Sequence, residues 1–169
     1  THCISSAASD VYKRQNKGCA VNNLDAVVLG ATQIDTDFNV NVNTESDGVL
    51  LHGIGGHMDT AAGAKLTIVA TPLLRGRMPI VVDKVITVTT PGETVDVLVT
   101  ERGIAVNPAR KDLIAILKKA KLPIKDIQDL KKEAYDLTGI PEEPQFTDKI
   151  IGLVEYRDGT IIDVIRGVK

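Results

Sequence analysis

The strongest signal for the fold lies in residues 53–70, which read Gly-Ile-Gly-Gly-His-Met-Asp-Thr-Ala-Ala-Gly-Ala-Lys-Leu-Thr-Ile-Val-Ala. Gly53, Gly55 and Gly56 permit positive φ and the close approach of another molecule. The small residues that follow are compatible with a short helix, and the final β-branched run is typical of a central strand. A glycine-rich turn that opens into a helix presents unpaired N–H groups, which favour a phosphate, a carboxylate or a developing oxyanion. The same pattern also occurs as a plain strand-to-helix connection.

The rest of the chain reads as strands and helices arranged around this segment. Strands are predicted at residues 26–30, within 33–43, at 66–70, at two places between 79 and 90, at 95–100 and at 104–106. A first helix is predicted with Asn107 as its N-cap and Pro108 in its first position, ending at Leu122-Pro123. A second helix carries one apolar face, formed by Ile127, Leu130, Ala134 and Leu137, and stops at Gly139.

The C-terminal segment is predicted to form a β-hairpin. Residues 150–156 and 160–165 flank Arg157-Asp158-Gly159, where Asp-Gly signals a tight turn. Strands that are separated by a helix pair in parallel, whereas the strands of a hairpin are antiparallel. We therefore predict an α/β fold with an open, mixed, largely parallel sheet flanked by helices, in which the hairpin forms an antiparallel edge.

Composition excludes several classes of function. Aromatic residues make up 3% of the chain, tryptophan is absent and the net charge is −2, so the stacking surfaces and basic patches of nucleic-acid binders are missing. No apolar run approaches the roughly 18 residues that a membrane-spanning helix needs. Cys3 and Cys19 have no spacing typical of a zinc site or a disulfide framework. We expect a cytoplasmic protein with no nucleic-acid or membrane partner.

The first fifteen residues differ in character from the rest. Residues 1–15 have no usable periodicity, and residues 6–15 resemble translated adapter or vector sequence. We interpret them as a non-native leader and residues 16–169 as one domain. On this interpretation the chain is a fragment whose true N-terminal part is missing.

The histidines near the glycine-rich turn do not predict a metal site. His52, His57 and Asp59 match no standard zinc spacing, and two ligating histidines at this separation need a continuous helix that the glycines prevent. A dinucleotide-binding motif is also disfavoured, because no third glycine stands at the offset that the motif requires and no acidic residue ends a matching strand about twenty residues on. We expect no metal here.

Several charged residues follow the turn and are candidates for binding an anion. Lys65, Arg75 and Arg77 come within about twenty residues of it, and arginine offers bidentate geometry for a carboxylate or a pyrophosphate. Glu101 follows a predicted strand, at the sheet edge where open α/β folds place functional groups. Each of these residues is equally compatible with a solvated or capping charge. The residues alone predict an anionic or acyl ligand at the turn.

Long stretches of the chain carry a resemblance to a known family. They are residues 56–66, Pro72-Leu73-Leu74-Arg75-Gly76-Arg77, residues 89–100, residues 103–108 and residues 156–159. On these stretches the chain closely resembles the C-terminal part of citrate lyase alpha subunits, from about residue 19 to the end. More distantly, Leu29-Gly30-Ala31-Thr32-Gln33 followed by the turn is similar to the C-terminal halves of other CoA-transferases.

The resemblance implies a CoA-transferase fold and a cytoplasmic enzyme complex. The implied reaction exchanges acetyl for citryl on a carrier-protein thioester, with citrate as acceptor and acetate as product. The implied partners are a beta subunit that cleaves the citryl thioester and a gamma subunit, the acyl carrier protein. That carrier bears a CoA-derived prosthetic group, so no cofactor is expected to be covalently bound to this chain.

The resemblance also implies roles for residues of the turn. Gly55, Gly56 and His57 are the expected catalytic residues, with their backbone N–H groups stabilising charge on the thioester carbonyl. The expected substrate- or CoA-binding residues are Gly53, Asp59, Thr60, Lys65, Arg75 and Glu101. The glutamate nucleophile of many CoA-transferases lies in a Ser-Glu-Asn-Gly-like motif that does not occur here. Either this motif lies in the missing N-terminal part, or this subfamily works without a covalent enzyme thioester. Two alternative functions also stay open: a non-catalytic assembly module, and a relative specific for citramalate.

Overall fold

The computed structural model describes residues 20–169, which form eleven strands and three α-helices. The strands are β1 (Val27–Leu29), β2 (Gln33–Asp35), β3 (Val40–Asn41), β4 (Thr67–Ala70), β5 (Leu74–Arg75), β6 (Met78–Pro79), β7 (Val81–Val82), β8 (Val97–Thr100), β9 (Gly103–Val106), β10 (Phe146–Glu155) and β11 (Ile161–Val168). The helices are α1 (His57–Gly63), α2 (Lys111–Lys119) and α3 (Ile127–Thr138), with 3-10 turns at Ala20–Asn23 and Gly92–Thr94. The predicted leader, residues 1–15, and both cysteines lie outside the described residues.

The central sheet has four strands in the order β1-β4-β8-β9. β1 pairs with β4 and β4 pairs with β8 in parallel, whereas β8 and β9 form an antiparallel pair joined by a short turn. Helix α1 lies between β1 and β4 along the chain, so the parallel pairing expected for strands separated by a helix is confirmed. Both parallel pairings place the carboxyl ends of β1, β4 and β8 at one edge of the sheet.

A second, three-stranded sheet and helix α3 complete the core. Its strand order is β3-β2-β7, with β2 parallel to β7 and antiparallel to β3. Ile127, Leu130 and Ala134 of α3 are buried in the cluster that also contains Ile34 and Leu98. This face of α3 is therefore predicted correctly. Leu137 lies on the same stripe but is 57% exposed, because no described element covers the last turn of α3.

Helix α2 begins later than its sequence pattern predicts. Its N-cap is Arg110, and Asn107 instead closes a turn in which its carbonyl accepts from Arg110 N and its Oδ1 accepts from Ala109 N. The Asn107 amide donates to the carbonyls of Gly92 and Val95 at 3.0 and 2.9 Å. The prediction of Asn107 as N-cap is wrong because this side chain is used for tertiary contacts.

The C-terminal hairpin does not extend the central sheet. β10 and β11 form a separate two-stranded antiparallel sheet, so the predicted antiparallel edge is wrong. Val154 and Ile165 are instead buried against Met58 of α1, because the hairpin has its own apolar face. The predicted turn at Asp158-Gly159 is confirmed, with Gly159 at φ 92°. The hairpin thus supports the helix that follows the glycine-rich turn.

The region between residues 79 and 90 contains less strand than predicted. After β7 ends at Val82, the segment up to Thr90 has no named strand. At the end of this segment the Thr89 side chain bonds to the segment of β3, since its hydroxyl donates to the Val40 carbonyl at 2.8 Å and accepts from Val42 N at 3.1 Å. In residues 20–169 we find no helix with the length and apolarity required to cross a membrane.

Candidate active site

The glycine-rich turn presents its backbone N–H groups at the start of α1. Gly55 has φ +64°, a left-handed conformation that favours glycine, whereas Gly56 has φ −97° and is the residue before the helix. No backbone hydrogen bond within residues 20–169 uses the N–H groups of Gly55, Gly56 or His57. Only one of the three glycines therefore needs positive φ, and three N–H groups are available at the turn.

The His57 side chain joins the turn to two distant parts of the chain. Its Nε2 lies 2.9 Å from the Gly30 carbonyl oxygen, and its Nδ1 lies 2.7 Å from Thr90 Oγ1. A carbonyl oxygen can only accept, so Nε2 carries the proton and donates to Gly30. The Thr90 hydroxyl then donates to Nδ1. The hydrogen bonds thereby select one neutral tautomer of the imidazole.

Burial lowers the pKa of the His57 imidazole below its usual value. The hydrogen bond to the Gly30 carbonyl favours the protonated ring and offsets part of this decrease. His57 is therefore neutral at physiological pH, in agreement with the tautomer that the hydrogen bonds select.

A cleft of about 330 Å³ lies beside the turn at the carboxyl end of β1. Its lining residues are Gly30, Ala31, Thr32, Val42, Leu51, His52, Ile54, His57 and Arg75. A second cleft of about 430 Å³ shares Thr32 and Arg75 with it. The cleft combines backbone groups, two imidazoles and one guanidinium, which is a suitable environment for a ligand with a carboxylate or a polarised carbonyl.

His52 forms one wall of this cleft and is held through its backbone. Its carbonyl accepts from the Asn43 amide at 2.9 Å, and its Nδ1 lies 2.8 Å from the Gly53 carbonyl. Asn43 is buried, and its Oδ1 has no hydrogen-bond partner in the described part of the chain. Among residues 20–169, no three His, Cys, Asp or Glu side chains group in a way that could hold a metal ion.

Arg75 is the predicted cation that the structure brings to the cleft. It lies in the β5–β6 hairpin, whose turn contains Gly76 at φ +61°, and its Nη2 donates to the Ala31 carbonyl at 3.2 Å. This contact directs the guanidinium toward the segment after β1, while the side chain is exposed to solvent. Arg77 lies in the same turn but does not line the cleft.

Glu101 lies at the predicted edge of the sheet but holds a loop. Its Oε2 accepts from Leu73 N at 2.9 Å, and its Oε1 is 3.8 Å from Arg102 Nε. It therefore ties the segment after β4 to the turn after β8. Glu101 is not among the residues that line the cleft.

Six further predicted residues do not line the cleft: Gly53, Gly55 and Gly56, which belong to the turn beside it, and Asp59, Thr60 and Lys65. Lys65 lies at the opposite edge of the sheet, before β4, and pairs with Asp25 at 2.7 Å. The Thr60 hydroxyl is bonded within its own helix turn, 2.9 Å from the Gly56 carbonyl. Asp59 is buried in the first turn of α1 near the hairpin, where burial raises the pKa of Tyr156 and the Asp59 carboxylate adds a smaller increase.

Sequence reasoning assigned no role to Gly30 and Thr90, although both contact His57. Both lie in stretches that carry the family resemblance, so the resemblance marked them as part of the pattern without indicating a contact. Ile54 and Leu51 also line the cleft without having been predicted. Their contribution is apolar surface, for which the sequence offers no specific signal.

Comparisons with known proteins identify relatives over nearly the whole chain. The family model for the citrate lyase alpha subunit matches residues 1–168. The chain is 56% identical over 154 residues to the citrate lyase alpha chain of Klebsiella pneumoniae. This alignment covers 91% of this chain and 30% of that protein. It is 52% identical over 166 residues to the citrate lyase alpha chain of Escherichia coli K12, covering 98% and 32% respectively.

A solved structure agrees with these matches. The alpha subunit of citrate lyase from Streptococcus mutans, determined in complex with citrate, superposes with a TM-score of 0.90 at 54% identity. The match covers 92% of this chain and 30% of that one. The chain thus spans about a third of the length of the curated relatives it matches.

Proposed function

Because this chain belongs to the citrate lyase alpha-subunit family, we propose that it forms part of a citrate CoA-transferase. The proposed reaction exchanges acetyl for citryl on a carrier-protein thioester and releases acetate. The observation that carries the proposal is the sequence identity of at least 51% to citrate lyase alpha chains over 91–98% of this chain. The cleft beside the glycine-rich turn is the proposed location of the exchange.

The backbone N–H groups of Gly55, Gly56 and His57 are the proposed donors to the reacting carbonyl. A carboxylate oxygen of citrate attacks the acetyl carbonyl, the C–S bond breaks, and the carrier thiolate departs, which leaves an acetyl–citryl anhydride. The thiolate then attacks the citryl carbonyl of this anhydride, which forms the citryl thioester and expels acetate. In each addition, negative charge develops on the oxygen of the attacked carbonyl. Fixed N–H donors that have no other partner stabilise such charge without reorganising. The three available N–H groups at the turn support this role.

Arg75 is the proposed binding group for a carboxylate of the acceptor. One of its N–H groups is used by the Ala31 carbonyl, which leaves the other guanidinium donors available at the cleft. Arginine binds carboxylates in a bidentate geometry, and citrate has three carboxylates. His52, on the opposite wall, is a further candidate contact. Citramalate shares this chemistry and is the alternative acceptor.

We propose that the other components are the beta subunit, which cleaves the citryl thioester, and the gamma carrier protein with its CoA-derived prosthetic group. The proposed assembly is a cytoplasmic complex. A non-catalytic role in assembly is the rival proposal. It is motivated by the fact that no Ser-Glu-Asn-Gly-like motif occurs in this sequence.

A chimera tests the proposal. The matching segment of the Klebsiella pneumoniae citrate lyase alpha chain is replaced by this chain's sequence and reconstituted with the other subunits of that lyase. The measurement is the release of labelled acetate from an acetyl-carrier thioester after citrate is added. We expect a rate within about tenfold of the parent enzyme, because the two sequences are 56% identical. A chimera that assembles but releases no acetate would support the assembly module instead.

A further inference from the structure

We propose that Thr90 and the His57 side chain are positioning residues, which hold the glycine-rich turn at the end of β1 while the imidazole transfers no proton. The consequence for catalysis rests on the proposed function. The tautomer and the contacts rest on the geometry alone and are tested separately.

His57 connects three segments that are far apart in the sequence. Gly30 follows β1, His57 begins α1, and Thr90 precedes the 3-10 turn at Gly92–Thr94. The two ring contacts of 2.9 and 2.7 Å bridge 27 and 33 residues respectively. Because the backbone N–H of His57 is itself one of the available donors, fixing the ring also restrains the position of the turn.

Thr90 is a rigid attachment point for the imidazole. It is fully buried, its carbonyl accepts from Val40 N at 2.9 Å, and its own N–H donates to the Val40 carbonyl at 3.1 Å. Neighbouring Thr89 is bonded to the same strand. Thr90 Oγ1 makes one hydrogen bond in the described part of the chain, to His57. Its hydroxyl therefore acts on the turn through the imidazole.

The geometry leaves the imidazole no nitrogen for proton transfer. A general base needs a free lone pair within reach of the substrate, and the Nδ1 lone pair of His57 accepts from Thr90. A general acid needs a transferable proton, and the Nε2 proton of His57 is donated to Gly30. Burial also lowers the pKa of the ring, which favours its neutral form.

The first test is independent of activity. A long-range ¹H–¹⁵N correlation spectrum of the chain with ¹⁵N-labelled histidine reports which ring nitrogen carries the proton. The signal that disappears in His57→Gln is assigned to His57. We expect the Nε2–H pattern for His57 between about pH 6 and 8. We also expect Thr90→Val to shift the Nδ1 resonance. Thr138→Val removes a threonine hydroxyl that donates to the Ala134 carbonyl in the last turn of α3, and we expect it to leave the spectrum of His57 unchanged.

The second test uses the chimera described above. We expect His57→Ala and Thr90→Val to lower kcat by about a hundredfold with a smaller change in KM, because a turn displaced by about 1 Å misaligns its donors. Thr90→Ser, which keeps the hydroxyl, recovers most of this loss. The glutamine side chain in His57→Gln retains one donor and one acceptor. We therefore expect its kcat to exceed that of His57→Ala by about tenfold and to keep the wild-type dependence on pH. Thr138→Val serves as the matched control.

The outcomes separate this inference from the proposed function. An Nδ1–H or doubly protonated His57 at pH 7, or an Nδ1 resonance unmoved by Thr90→Val, overturns the inference whatever the activity. A His57→Gln variant as inactive as His57→Ala, or one that loses a limb of the wild-type pH profile, also overturns it, because His57 then exchanges a proton. The predicted spectrum in an assembled chimera without transfer activity contradicts the proposed function and leaves the contacts established.

Discussion

At the scale of single residues, the imidazole of His57 moves on folding from water into a site between a carbonyl and a hydroxyl group. Both ring nitrogens find partners there, at Gly30 and Thr90. Desolvation is the larger influence on its pKa and disfavours the charged ring. The burial of the ring therefore links stability to pH.

We predict that His57 makes the free energy of unfolding depend on pH below about 6.5. The folded-state pKa lies below that of the unfolded chain, so the unfolded state binds more protons in this range. The stabilisation is fully present above the unfolded pKa and is lost as pH falls through the folded pKa. Urea unfolding from about pH 7.5 to 5 measures this change. We expect His57→Gln to reduce the slope of the unfolding free energy against pH in this window. Parallel pH dependences in the wild type and the variant would contradict this prediction.

Residue-level features of the site were predictable only where the chemistry is local. The turn's glycines indicated positive φ, which Gly55 has at +64°. The cation Arg75 was placed near the turn by sequence distance, and the structure brings it to the cleft. Thr90 was not predictable, because its contact with His57 spans 33 residues and depends on the packing of β3. Lys65 illustrates the opposite error: closeness in sequence places it at the far edge of the sheet.

At the scale of elements, the helices differ in how their ends are fixed. Helix α3 has a side-chain cap, since Asp126 accepts from Gln128 N at 2.9 Å, and it ends at Gly139 with φ +80°. Helix α2 begins at Arg110 without a side-chain cap and is not buried at any residue. The periodic pattern predicted both helices, but only for α3 did the apolar stripe face the core.

We predict that Asp126→Ala destabilises the protein by about 1 kcal/mol, the usual cost of losing an N-cap. The reason is that the first turn of α3 loses an acceptor for a backbone N–H while its apolar face stays packed. The measurement is the free energy of unfolding from urea titration. Asp136→Ala, an exposed position in the same helix, is the control. Equal losses in the two variants would show that the cap is not responsible.

At the scale of the whole molecule, the turn, the sheet and the hairpin form one arrangement around α1. Parallel pairing of β1 and β4 followed from the helix between them and was predictable. The hairpin turn was also predictable, because Asp-Gly is a local signal. Its docking on Met58 was not, since an apolar strand face does not specify which surface it will cover.

The proposed transferase depends on open space in the cleft at the end of β1. A Cβ added at Gly30 meets no atom within 4 Å, so the folded chain can accommodate a larger side chain there. Because Gly30 lines the cleft, that side chain would occupy the volume proposed to bind the ligand. Ala26 is exposed and lies just before the other end of the same strand, so Ala26→Val adds a comparable side chain away from the cleft.

Whether the acyl group is exchanged in this cleft is tested most directly by the rate of citrate-dependent acetate release from the chimera that carries Gly30→Val. We predict that Gly30→Val lowers this rate by about a hundredfold or more, whereas Ala26→Val leaves it within about twofold of the unsubstituted chimera. We expect neither substitution to change the free energy of unfolding. If the Gly30→Val chimera released acetate as fast as the unsubstituted chimera, the acyl group would not be exchanged in the cleft beside the glycine-rich turn.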